Sequence, residues 1–201
     1  MINEIFKIPL YNTTLSLNTK SISSLCLSYL KKEPKGRQKS NRGGWQSDEL
    51  TLPKFKHLGL SDRPLTPLCD SIRYHGKQFL KELEFNGELE INNIWINING
   101  YRDSNVLHNH NHCLLSGVYY VNAPKDSGNI MFFRPGYDTF TFDWNNYQKA
   151  WNPYNSATWK IPPTNNTLLL FPSWLNHTVD PNMNKKEKRI SISFNLSFKA
   201  S

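Results

Sequence analysis

Apolar residues follow two different periods along this chain. Over residues 14–32 (TLSLNTKSISSLCLSYLKK) they recur near helical spacing, with Ser and Thr available as caps, and predict a first helix. Residues 64–85 (PLTPLCDSIRYHGKQFLKELEF) predict a second. Its apolar positions include Ile72, Phe79, Leu80 and Leu83, and Pro64 and Pro67 suit its entry. From residue 88 the period shortens to two. In ELEINNIWINI, Leu89, Ile91, Ile94, Ile96 and Ile98 stand among polar neighbours, with a break expected at Asn92-Asn93. LLSGVYYV, GNIMFFRP, TLLLFPSWL and RISISFNLSF read as further strands. No long helical pattern separates them, so the alternation of a parallel βαβ sheet is absent, and short strands joined by turns indicate a sandwich, jelly roll or barrel.

The expected fold class is therefore α+β, mainly β, in a single domain over residues 1–201. Residues 1–87 form a mainly helical N-terminal part, and an antiparallel double sheet follows over 88–201. Residues 136–165 stand apart, with eight aromatics among Asn, Pro and Gly and no clean period. Such an insertion serves equally as a lid over a site or as a hairpin packed on the sheet.

A hydrophobic content of 38% over 201 residues suits one folded domain. No apolar run is long enough to span a membrane, and Glu4 and Pro9 interrupt the N-terminus where a signal peptide needs a continuous apolar core, so the expected location is cytoplasmic. Cys26, Cys69 and Cys113 are too few and scattered for a disulfide framework or zinc ribbon. The net charge of +8 draws on two stretches, 31–42 (KKEPKGRQKSNR) and 185–189 (KKEKR). Solvated surface explains both; attraction to nucleic acid or another anionic partner is the alternative.

Candidate chemistry begins at NVLHNHNHCLLSGVYYV, residues 105–121. Three of the six histidines, His108, His110 and His112, occupy alternate positions. Alternate residues of an extended chain point to one side, so these imidazoles either converge on a metal or decorate a His-rich loop. His177, in LLLFPSWLNHTVDPN, also follows a strand-like run directly. Beyond it, RISISFN places Arg189, Ser191, Ser193 and Asn195 on one face of a strand and Ile190, Ile192 and Phe194 on the other. Arg189 with hydroxyls two and four residues on makes a candidate carboxylate clamp; an outward-facing polar face is the plainer reading.

The succession HxH, LSGVYYV, GNIMFF, LLLFPSWLNH and RISISFN resembles the iron(II)- and 2-oxoglutarate-dependent dioxygenases. More narrowly, it is similar to a small group of 2-oxoglutarate oxygenases of bacteria and phages, whose N-terminal signature SNRGGWQS at 40–47 also matches. The resemblance covers residues 40–198. It implies a double-stranded β-helix (jelly roll) core preceded by N-terminal helices, with Fe(II) as cofactor and 2-oxoglutarate as co-substrate. By the same resemblance His108 and His177 are metal ligands, and Arg189 with Ser191 holds the distal carboxylate of 2-oxoglutarate. Asn97 and Tyr120 fall where relatives place additional co-substrate contacts. His110 stands where most of the superfamily has a carboxylate. A three-histidine site, a ligand from Asp103 or Asp180, or binding by His112 instead are the options this leaves; His112 otherwise suits a supporting or substrate-facing place.

The implied activity is oxidative decarboxylation of 2-oxoglutarate by O2 to succinate and CO2, coupled to hydroxylation of an unidentified substrate. Two other classes compete: a non-catalytic metal-binding jelly-roll interaction module, and a zinc hydrolase. The latter lacks an evident general base such as the Glu of HExxH. Oligomeric state has no signature in the sequence.

Overall fold

A computed structural model describes residues 2–136 and 147–199. Among these, the chain is mainly β, in two antiparallel sheets with three α-helices. The first helix, α1 (Thr19–Lys32), starts where the Asn18 side chain accepts from the Ser21 N–H. A second, short helix, α2 (Leu52–Leu58), is capped by Thr51 and closed by Gly59 at φ 62°. The third, α3 (Thr66–Glu82), follows a single 3-10 turn at Arg63–Leu65.

The larger sheet has strand order β1 (Tyr11–Thr14), β9 (Thr167–Pro172), β6 (Leu115–Asn122), β11 (Arg189–Phe198), β4 (Leu89–Asn99), β3 (Trp45–Gln46). The smaller runs β2 (Asn41–Arg42), β5 (Ser104–His108), β10 (His177–Val179), β7 (Ile130–Phe133), β8 (Thr158–Ile161). Strand alternation sorts every side chain of the large sheet. On β11, Ile190, Ile192, Phe194 and Leu196 join a core shared with Ile22, Leu25 and Tyr29 of α1 and Leu68, Ile72 and Phe79 of α3. The other face, with Ser191 and Asn195, is also buried, beneath the smaller sheet. A polar face turned to solvent is thereby ruled out for this strand. Between the sheets, Val118, Tyr120, Phe132, Leu169 and Phe171 form a second apolar cluster.

The break expected at Asn92-Asn93 is a β-bulge. Pairing with β11 passes from Asn195↔Asn93 to Leu196↔Ile91 and skips Asn92. The extra residue reverses the phase, which keeps Leu89 and Ile91 on the same side as Ile94, Ile96 and Ile98.

Residues 1–87 hold the three α-helices and also contribute β1, β2 and β3 to the sheets. The last two flank Gly43 and Gly44, both at φ 64°, and the turn carries the chain from the small sheet to the large one. A side chain at Gly43 would come within 2.1 Å of Asp103 Oδ1. Two-residue strands carry no periodic signal, which is why the pattern gave no hint of them. The 136–165 insertion begins at Gly136, its residues 137–146 lie outside the described residues, and part of the remainder forms β8 against β7.

Gly117 of β6 lies beneath its cross-strand partner Phe194, and a Cβ there would meet Phe194 Cζ at 2.3 Å and the Leu169 carbonyl at 2.7 Å. Gly117→Ala is expected to cost ~1–3 kcal/mol through overpacking, read as a lower denaturant midpoint. An unchanged midpoint would contradict this packing.

Candidate metal and co-substrate site

His108 closes β5 and His177 opens β10, and the two are direct cross-strand partners. His110 arrives from the loop after β5, held by its backbone N–H donating to the Ser173 carbonyl at 2.9 Å. The ring centroids lie 4.3 Å (His108–His177), 5.1 Å (His108–His110) and 5.3 Å (His110–His177) apart. One ligand nitrogen from each lies within 4.8 Å of the others, close enough to share one metal ion.

The chemistry of the donor set fits a metal as well as its spacing does. His108 Nδ1 donates to the Val106 carbonyl at 2.7 Å, and His177 Nδ1 donates to the Leu175 carbonyl at 2.9 Å. Each bond puts the ring proton on Nδ1 and leaves Nε2 unprotonated, with its lone pair available as a ligand. Burial favours the neutral ring at all three positions. It lowers the pKa of His108, takes His110 down to about 4 with help from His108, and takes His177 to about 3. Neutral imidazoles are the form a metal binds.

The remaining candidates for the ligand set lie elsewhere. His112 is exposed, in a turn at φ 72°, and outside the cluster. Asp103 Oδ2 accepts from the Gly100 N–H at 2.6 Å, and Asp180 pairs with Lys160 at 3.0 Å. Among the described residues no carboxylate joins the three histidines.

The imidazoles open onto a cavity of about 960 Å³ between the sheets, and Arg189 also lines it. Its side chain is 1% exposed. One guanidinium nitrogen, Nη1, donates to the carbonyls of Ser127 and Gly128, at 2.5 and 3.2 Å. No carboxylate stands within ion-pair distance among the described residues. Desolvation presses its pKa down, but a guanidinium starts so high that it stays charged. A buried cation with no carboxylate in contact is costly; Asp103 and Asp180 act on this one only from a distance, and it lines the cavity.

Tyr120, Ser191 and Asn97 are brought beside it. Ser191 is the cross-strand partner of both Asn97 and Tyr120, and all three line the cavity. Burial lifts the Tyr120 phenol to about 12, the Arg189 charge opposing the shift, so it remains a hydrogen-bond donor. Asn97 Nδ2 donates to Ser193 Oγ at 3.0 Å.

Sequence reasoning passed over Trp95, whose ring lies 5.7 Å from that of His110, and Ser40, whose hydroxyl is 3.4 Å from His108 Nε2. The register would have disclosed Trp95, which alternates with Ile94 and Ile96 and so falls on the cavity face.

The family model described as "Putative 2OG-Fe(II) oxygenase" matches residues 93–195, just over half of the chain. The chain belongs to this family. It is an oxygenase with Fe(II) as cofactor, 2-oxoglutarate as co-substrate, and O2 and a further substrate as partners. Solved structures resemble it in fold. A prolyl-4-hydroxylase from Pseudomonas putida is 12% identical at a TM-score of 0.65, covering 96% of this chain and 94% of that one. A viral collagen prolyl hydroxylase from Paramecium Bursaria Chlorella virus-1, in complex with 2-oxoglutarate, is 13% identical at 0.54, covering 93% and 94%. A prolyl hydroxylase from Trichoplax adhaerens is 15% identical at 0.57, covering 94% and 83%. No curated protein matches this oxygenase.

Burial of neutral imidazoles fixes the sign of a pH effect on the metal-free oxygenase. Its unfolded histidines take up protons near pH 6.5, whereas folded His110 and His177 resist until about 4 and 3. Stability is therefore full above pH 6.5 and lost as pH falls below it, by up to ~1.4 kcal/mol per pH unit for each such ring. Thermal melts between pH 7 and 5 should show this decline, shallower in His177→Asn. A flat profile in the wild type would contradict the burial.

Proposed function

We propose that His108, His110 and His177 hold the Fe(II), and that Arg189 anchors the distal carboxylate of 2-oxoglutarate. Ser191, Tyr120 and Asn97 complete the co-substrate site. The observation that carries this reading is the buried Arg189 guanidinium, with no carboxylate in contact, in the same cavity as the three imidazoles. On this reading, β4 to β11 form one double-stranded β-helix within a single domain. Its support is the distribution of these eight strands over two sheets, alternating except at the β7–β8 hairpin, in the orders β9-β6-β11-β4 and β5-β10-β7-β8.

Bound Fe(II) supplies the reaction of O2 with 2-oxoglutarate that yields succinate and CO2 and hydroxylates a substrate C–H bond. The residues of the chain do the rest. With Nη1 tied to the Ser127 and Gly128 carbonyls, the guanidinium offers its remaining N–H groups to a carboxylate. The pairing is strong because the site is dry and the donors are fixed beforehand. The Tyr120 and Ser191 hydroxyls add donors to the same oxygens. Phe132 and Phe171 pack at 6.0 and 4.9 Å from the His177 ring and keep water from that side.

Three neutral ligands leave the bound metal one unit more positive than two histidines and a carboxylate would, which favours a dianionic co-substrate. Three imidazoles also suit Zn(II), in a binding module or a hydrolase. Neither of those requires a buried guanidinium facing the metal site.

Anaerobic titration of the metal-free protein with Fe(II) and then 2-oxoglutarate is expected to produce the visible charge-transfer band of the chelate. At ~1.5–3 kcal/mol for hydrogen bonds to a charged group, Arg189→Ala should need roughly 100-fold more 2-oxoglutarate. Arg189→Lys, which keeps the buried charge, should fall between. Iron binding with no band, or an unshifted titration in both variants, would overturn the assignment.

A further inference from the structure

The floor of the cavity carries a second polar array that the iron and co-substrate contacts leave unused. Four side chains from successive strands of the large sheet form one hydrogen-bonded row. Ser173, just after β9, lies 2.8 Å from Ser116 of β6. The Ser116 hydroxyl donates to Asn195 Oδ1 of β11 at 2.7 Å, and Asn195 Nδ2 donates to Asn93 Oδ1 of β4 at 2.8 Å. The direction of the row is fixed at its buried end. Ser173 is fully buried, and its hydroxyl finds no acceptor but Ser116 among the described residues. A row running the other way would strand that O–H proton without an acceptor, whereas the direction above leaves only lone pairs unfilled.

Every bond then points the same way, and the last member is a donor. Asn93 turns Oδ1 toward Asn195, so Nδ2 faces away. Asn93 lines the cavity, and its Nδ2 has no acceptor among the described residues. Its place along β4 is informative. Asn97, on the same face, pairs with Ser191 beside the Arg189 end. Trp95 comes next and abuts His110. Asn93 lies two residues further, roughly 7 Å beyond Trp95 at strand rise, on the side of the histidines opposite Arg189. That is the end left for the molecule to be oxidised.

The charges there select among acceptors. Residues 47–50 run along β4, Ser47 and Leu50 donating backbone N–H groups to Ile96 and Ile94. They bring Asp48 and Glu49 to the cavity, which Arg37 and Lys39 also line, and Arg37 is paired with Asp48 at 2.9 Å. Two positive and two negative side chains leave this wall without net charge, and the cavity's other cation, Arg189, lies at the far end and is taken by the co-substrate on the reading above.

We propose that Asn93 is the substrate-facing donor of this cavity, and that it takes the carbonyl oxygen of a neutral amide. The row behind it, through Asn195 and Ser116, holds its orientation and polarises its N–H groups. This inference rests on the metal and co-substrate assignment above.

The test uses the full chain, labelled with ¹⁵N and loaded with Zn(II) and 2-oxoglutarate, with N-methylacetamide as probe and acetate as control. N-methylacetamide is expected to shift the Asn93 side-chain amide pair saturably, with a smaller shift at Asn195, while acetate leaves both in place. In Asn93→Asp, which preserves the acceptor for Asn195 but replaces the donor, the Asn195 response should be lost. An unmoved Asn93 signal, an equal response to acetate, or an Asn195 response that survives in Asn93→Asp would overturn the proposal. The Fe(II)–2-oxoglutarate band, measured alongside, separates the two levels. If it forms normally while Asn93 stays still, only the substrate contact fails; if it does not form in the wild type, the underlying site assignment fails with it.

Discussion

A guanidinium sealed between two sheets with no carboxylate beside it is the constraint on which the site depends. Arg189 is among the most deeply buried side chains of the chain, and two backbone carbonyls satisfy only one of its nitrogens. Removing such a charge from water costs several kcal/mol unless an opposite charge comes to meet it. The fold tolerates that cost at the first residue of β11, where the inward face opens on a cavity instead of closing on the small sheet. The same cavity receives two imidazoles from the opposite sheet and a third, His110, from the loop after β5. On the proposed assignment, Arg189 and the three imidazoles would hold the dianionic 2-oxoglutarate and the Fe(II), and the co-substrate would supply the missing counter-charge.

The alternation of β11 links this site to the stability of the fold. Its even-numbered residues from Ile190 to Leu196 pack under α1 and α3, while Arg189, Ser191, Ser193 and Asn195 face inward. Shifting the register by one residue would put the guanidinium in the helical core and turn the isoleucines toward the imidazoles. The apolar core thus fixes the aim of the polar face. On β4 the bulge at Asn92 corrects the phase so that Leu89 and Ile91 stay on the core side with Ile94, Ile96 and Ile98, while Asn93, Trp95, Asn97 and Asn99 line the cavity.

Much of this was legible in the chain before any coordinates. The period-two runs became β4, β6, β7, β9 and β11, and the doubled asparagine became the bulge. The HxH spacing brought His108 and His110 together because the chain is extended there, whereas the turn at His112 removes that residue from the cluster. The family match over 93–195 agrees with the resemblance drawn from the motifs. Illegible were features that depend on long-range pairing. β1, β2 and β3 are too short to show a period, and the Ser173–Ser116–Asn195–Asn93 row is assembled from positions up to 102 residues apart. The basic stretches lie on the surface, as the solvated reading expects, with Arg37 paired to Asp48; Arg189 is the member that composition could not place, since it is buried.

The most direct test of the central claim is anomalous diffraction at the iron edge from crystals grown anaerobically with Fe(II) and 2-oxoglutarate. The account predicts a single iron peak bonded by His108, His110 and His177, with the distal carboxylate of 2-oxoglutarate on Arg189. Iron bound away from these three imidazoles, or 2-oxoglutarate seated with Arg189 untouched, would contradict it.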